Sequence, residues 1–162
     1  MIYTIGYSDR VLPEFVRQLE VRGVTQLIDV RSNPWSRNPV YSRQRIEEWS
    51  STQGIYYRFC GEILGGMSDV GLRDPEYISA ISKIARASTN EVIAIMCAEG
   101  DPAKCHRTWS IAGSLLARHE IDPISVLRDN TEERSTQSIL RVSKRKLPDF
   151  TLDYLNAQIS LF

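Results

Sequence analysis

A chain of 162 residues with 20 basic and 20 acidic side chains carries no net charge, so attraction for a polyanion can come only from local clustering. The length suits one domain that buries its core without covalent staples, and three cysteines are too few, and odd in number, for a disulfide framework. The longest apolar run, 92–98, is far too short to span a bilayer and no leader pattern opens the chain, so a cytoplasmic protein without membrane contact is expected.

Residues 2–5 read as a short strand stopped by Gly6, and 13–22 as a helix with Phe15, Val16 and Leu19 at helical spacing before Gly23. A second strand, 24–30, leads into a loop rich in Pro and Ser, 31–42, and then a helix over 43–52 that contains Ile46 and Trp49 and ends at Gly54. Residues 55–59 read as a third strand and 61–74 as a long loop holding Gly65 and Gly66. The helix over 75–87 starts at Asp74 and Pro75 and carries Tyr77, Ile78, Ile81 and Ile84 on its apolar face. Residues 92–97 are nearly all apolar, as a central strand covered on both faces requires. Asp101 is a sound N-cap and Pro102 a sound first helical residue, so a helix is predicted from there to about Arg118, followed by a fifth strand over 124–127.

Strands alternating with helices imply right-handed crossovers. The expected fold class is therefore α/β, a single domain with a mostly parallel five-stranded sheet and helices on both faces, a Rossmann-like three-layer arrangement that receives ligands at the carboxyl ends of its strands. Residues 1–130 would make that domain, and 131–162, which include the basic stretch from Arg141 to Lys146, a helical extension packed on it.

Loops after three strands converge at that edge. They carry Tyr7 and Ser8; Arg31, Ser36 and Arg37; and Cys97, Glu99, His106 and Arg107. Lys104, His106 and Arg107 crowd the positive pole of the predicted helix, which is unfavourable until an anion arrives to be held by free amides and guanidiniums. Arg31, Arg37 and Arg107 are accordingly the expected anion clamps, with Tyr7, Ser8 and Ser36 as further donors. Glu99 and His106 are the expected acid-base pair, and Cys97, at a strand end, is a third candidate catalytic group. Helical phase puts Cys105 in register with Trp109, Ala112 and Leu116, the reading of a buried packing residue. The spacing of Cys97, Cys105 and His106 matches no compact zinc knuckle even with Cys60 added, so no metal ligand is assigned, and the residues name no cofactor.

Thr4-Ile5-Gly6-Tyr7-Ser8, Ile28-Asp29-Val30-Arg31 with Pro34, Ser36 and Arg37, Leu64-Gly65-Gly66, and Met96-Cys97-Ala98-Glu99 running to Cys105-His106-Arg107 occur in that order. Together they resemble the family numbered 488 among the domains of unknown function, which implies a small α/β domain over about residues 2–128. Residues 27–31 and Cys97 also resemble parts of rhodanese and cysteine-phosphatase domains. The catalytic loop of those enzymes needs an Arg six positions after the Cys, where this chain has Ala103.

The leading expectation is a small enzyme for a phosphorylated or nucleic-acid-derived anionic substrate, by hydrolysis or by glycosyl or other group transfer, with Tyr7, Trp35, Tyr41 and Tyr57 available to stack on a base. The alternatives are a non-catalytic module that grips a nucleotide or nucleic-acid phosphate, and thiol chemistry of rhodanese or phosphatase type at Cys97. The expected partner is thus an anionic small molecule or a nucleic-acid phosphate, with a homodimer left open.

Overall fold

The apolar runs become the strands of one sheet in the computed structural model, which describes residues 1–159. The strands are β1 (Ile2–Gly6), β2 (Gln26–Asp29), β3 (Tyr56–Phe59), β4 (Ile93–Cys97), β5 (Ile124–Val126) and β6 (Glu132–Arg134), in the order β3-β2-β4-β1-β5-β6. The first five run parallel and β6 pairs antiparallel with β5, so the sheet is mixed and six-stranded, not five-stranded. Glu132, Glu133 and Arg134 make a charged edge strand without apolar alternation, which is why periodicity did not mark it.

The α-helices are α1 (Leu12–Glu20), α2 (Arg43–Thr52), the single turn α3 (Gly61–Leu64), α4 (Pro75–Ala87), α5 (Gly113–His119), α6 (Ser135–Leu140) and α7 (Asp149–Ile159). Successive strand residues point to opposite faces, and the helices cover both. Phe15 and Leu19 of α1 and Ile46 of α2 pack with Leu27, Ala94 and Met96 on one face. Tyr77, Ile81 and Ile84 of α4 and Leu115 of α5 pack with Ile28, Ile93 and Ile95 on the other. A smaller cluster of Leu116, Ile139, Val142 and Leu147 seats α6 and the segment after it on α5. No helix among the described residues is long and apolar enough to cross a membrane.

This wiring locates a crevice. β4 lies between β1 and β2, whose chains leave toward α1 and α2 on one face, whereas the chain leaving β4 turns to α5 on the other. Chain segments diverging from neighbouring strand ends leave a gap between them, the usual seat of a ligand in such sheets.

The helix expected after β4 does not run unbroken. Asp101 does cap, accepting from the Ala103 amide at 3.0 Å, but it caps only one 3₁₀ turn, Pro102–Lys104. Cys105 is then extended (φ −111°, ψ 140°), and the chain resumes at Arg107–Ala112 as a π-helical turn before α5. The start signal is thus genuine, but the helical phase assigned to Cys105 does not apply.

The core reading can be checked by denaturant unfolding. Ile95→Ala, at a fully buried position in the middle of β4, should cost about 2–5 kcal/mol. Leu140→Ala, where the side chain is 66% exposed, should stay within about 0.5 kcal/mol of the parent.

Candidate functional site

A buried ion pair stands behind the wall of the crevice that Arg31 lines. Asp29 ends β2 with no exposure, and Arg31, two residues on, turns back to meet it at 2.6 Å. Arg31 Nη1 donates to the Tyr41 carbonyl at 2.8 Å and to the Tyr7 hydroxyl at 3.3 Å, while the Tyr57 hydroxyl donates to Asp29 at 2.8 Å. Burial works against the charge on Arg31, but the carboxylate of Asp29 prevails and holds the guanidinium more firmly protonated than usual. Nη2 donates one of its hydrogens to Asp29 at 2.6 Å. Tyr7 and Tyr41 stack at 4.2 Å beside the pair, so neither presents a free ring on that side.

Arg107 is also folded inward. It has no exposure, donates through Nη1 to the Glu99 carbonyl and through Nη2 to the Gly100 carbonyl at 3.2 Å, and its Nε has no hydrogen-bond partner among the described residues. Its guanidinium therefore braces the Glu99–Gly100 turn from within and does not stand open to an incoming anion. Ser8, Ser36 and Arg37 do not line the crevice; Arg37 is exposed, and the Ser36 hydroxyl accepts from the Asn38 amide at 3.2 Å. Glu99 does line it, with Oε1 held by the Asp101 amide at 2.9 Å.

The structure brings together three groups that the sequence offered as a ligand set but whose spacing matched no compact knuckle. The Sγ atoms of Cys97 and Cys105 lie 3.9 and 3.8 Å from Nδ1 of His106, and the three donor atoms all fall within 4.8 Å of one another. His106 Nε2 donates to the Val30 carbonyl at 3.0 Å. Because a carbonyl only accepts, the neutral ring must carry its hydrogen on Nε2 and turn the bare Nδ1 lone pair toward the thiols. The contact between the two thiols draws the Cys105 thiol below the usual range, and the same contact together with burial pushes Cys97 up.

Glycine makes this packing possible. A Cβ on Gly66 would sit 2.9 Å from His106 Nδ1, and one on Gly65 would sit 2.3 Å from the Gly61 carbonyl oxygen. The Gly65-Gly66 pair thus lets its loop press against the imidazole. The adjacent Cys105 and His106, with Cys97 at the end of a buried strand, were the sequence signal for this cluster; the assumed helix through Cys105 hid it.

The crevice has a volume of about 410 Å³, with Tyr7, Arg31, Trp35, Cys97, Glu99 and His106 among its walls. Two thiols and an imidazole at its base can act as a nucleophile with a proton acceptor, or as ligands of a soft cation.

The model of the family described as "Domain of unknown function DUF488" matches residues 12–71, from α1 through the loop bearing Gly65 and Gly66. It agrees with the resemblance drawn from the motifs, though the Cys97 to Arg107 stretch lies outside the matched segment. No curated protein matches the chain. Among solved structures, a chain from Leishmania major that carries protein tyrosine phosphatase as a provisional name is similar, with a TM-score of 0.46 and 13% identity over 94% of this chain and 83% of that one.

Removing one partner of a buried ion pair strands the other charge, so Asp29→Asn should lose about 3–5 kcal/mol of stability. Tyr57→Phe, which removes one hydrogen bond to the same carboxylate, should lose about 1 kcal/mol. Urea midpoints of the two variants at unchanged slope would test the order; equal losses would show that the carboxylate is not the centre of the arrangement.

Proposed function

We propose that this chain is a small enzyme, a hydrolase or transferase, that acts on a phosphorylated or nucleic-acid-derived anionic substrate in the crevice at the carboxyl end of β4, with Cys97, Cys105 and His106 at its reacting centre. The observation that carries the reading is the oriented imidazole: its tautomer is set by the Val30 carbonyl and its basic nitrogen faces two thiols at the base of an open cleft. A histidine that served packing alone would need only the carbonyl. Proton transfer needs a group of this type, held in one tautomer within reach of its partner.

The surroundings suit an anion. Arg107 lies behind the Glu99–Gly100 turn with no acidic side chain in a salt bridge among the described residues, so its charge adds positive potential to the cleft from within. The guanidinium of Arg31 on the cleft wall and the exposed ammonium of Lys104, which lies 3.5 Å from Asp101 and keeps further hydrogens, supply direct donors. Glu99 is the carboxylate on the wall that can exchange a proton with a leaving group, and Trp35, 67% exposed, offers a face to a base. Anion recognition is thereby assigned to Arg31 and Lys104, with Arg107 acting at one remove.

The test is turnover of a panel of phosphomonoesters, phosphodiesters and nucleotides by the purified full chain. His106→Asn should lower kcat/KM by about 10²–10⁴-fold, the usual worth of a positioned proton carrier, while Cys60→Ser, outside the cluster, should leave it unchanged. An enzyme reading does not survive if no member of the panel is turned over and none raises the melting temperature above that in chloride at matched ionic strength.

A further inference from the structure

We propose that Cys97, Cys105 and His106 are the protein ligands of one zinc ion, whose fourth coordination position opens into the crevice. The proposal takes from the preceding reading only that the crevice is the working site, and it can fail separately.

The donor set argues first. Two sulfurs and one imidazole nitrogen suit a borderline-soft cation and ill suit magnesium or calcium, which take oxygen. The geometry follows. With Zn–S near 2.3 Å and Zn–N near 2.0–2.1 Å, the edges of a tetrahedral shell are about 3.6–3.8 Å. The two Sγ to Nδ1 separations are 3.9 and 3.8 Å and the Sγ to Sγ edge lies within 4.8 Å, so side-chain shifts of a few tenths of an ångström to about 1 Å would close the shell. Three protein ligands and one open position is the pattern of a catalytic zinc site, and among the described residues no fourth Cys, His, Asp or Glu joins this group.

The supporting contacts are those a ligating histidine requires. Metal-bound imidazoles almost always donate their other ring N–H to a carbonyl or carboxylate, which fixes tautomer and ring orientation. His106 donates Nε2–H to Val30 and presents Nδ1 to the sulfurs. Gly66 packs so closely on the ring that a methyl group there would strike Nδ1 itself. The local backbone serves the same end, because Cys105 leaves helical geometry between a 3₁₀ turn and a π-helical turn and its thiol thereby comes within reach of Cys97. Single π-helical turns are often found at functional sites. An ion held in this way would supply a Lewis acid facing the substrate cleft.

The full chain, reduced and stripped with a chelator, would be titrated with Co²⁺ and then Zn²⁺. One equivalent of Co²⁺ should bind with the thiolate charge-transfer absorption and the intense visible bands of a tetrahedral site, and Zn²⁺ should displace it. Cys97→Ser and Cys105→Ser should each weaken uptake at least tenfold, and Gly66→Ala, which keeps both thiols, about 10–100-fold, the usual range for outer contacts. Cys60→Ser should bind as the parent does.

Because a variant can fail by misfolding, the unaltered chain supplies a second readout. Bound Zn²⁺ should protect Cys97 and Cys105, but not Cys60, from alkylation mapped by mass spectrometry. The proposal is overturned if the unaltered chain shows no thiolate absorption with Co²⁺, or if Zn²⁺ protects Cys60 equally. A Cys97–Cys105 disulfide formed in place of metal uptake would overturn it as well. Zinc uptake without turnover of any anionic substrate would sink the enzyme reading alone, whereas full turnover in excess chelator would sink the zinc site alone.

Discussion

Everything at the ligand edge of this sheet hangs on the pairing of Asp29 with Arg31. Taking both charges out of water is costly, and the mutual attraction repays it only because the remaining valences are filled by Tyr7, Tyr41 and Tyr57. These partners come from the end of β1, the turn before α2, and β3, so one pair of charges fastens three chain segments to the end of β2. Val30 lies between the paired residues, and its carbonyl is the acceptor that orients His106. The ion pair therefore sets the direction of a peptide group, and that peptide group sets the direction of the imidazole.

Arg107 presents the opposite solution to a similar problem. Its guanidinium is fully buried among carbonyl partners, with no carboxylate in a salt bridge among the described residues and with Nε unpaired. It lies directly behind the turn that bears Glu99, and the carbonyls it holds cannot turn outward to repel an anion.

Much of the fold was legible because apolar runs and punctuation by Gly, Pro and Asp report burial and chain reversal directly, as at residues 93–97 and at Asp74-Pro75. What escaped was structure not written in hydrophobicity. The charged β6 gains its place by pairing with β5, and the stop at Cys105 comes from tertiary packing that no propensity of residues 101–107 reveals. The candidate crevice was legible as a meeting of loops more than as a composition. Arginine-rich loops drew attention to the strand ends that border it, yet Arg31 and Arg107 turned inward to organise the backbone, and Arg37 stayed outside. The groups that meet are the ones whose contacts cross from β4 to the next turn, and such contacts depend on backbone geometry more than on spacing. Gly65-Gly66 illustrates the same limit: a close approach could be inferred, but not that its object was a histidine ring.

The two open margins of the sheet bear on how copies of the chain behave when crowded together. β6 presents Glu132 and Arg134 to solvent, and a further strand laid along it would have to strip these charged side chains of water. At the far margin, β3 exposes Tyr56 and Arg58, and the arginine guanidinium lies 5.7 Å from the Tyr56 ring centroid, covering the aromatic face that would otherwise invite a neighbour. Both borders thus carry charge where a sticky strand would be a hazard. Charge along both borders in this way discourages the strand-on-strand growth from which a fibre is built.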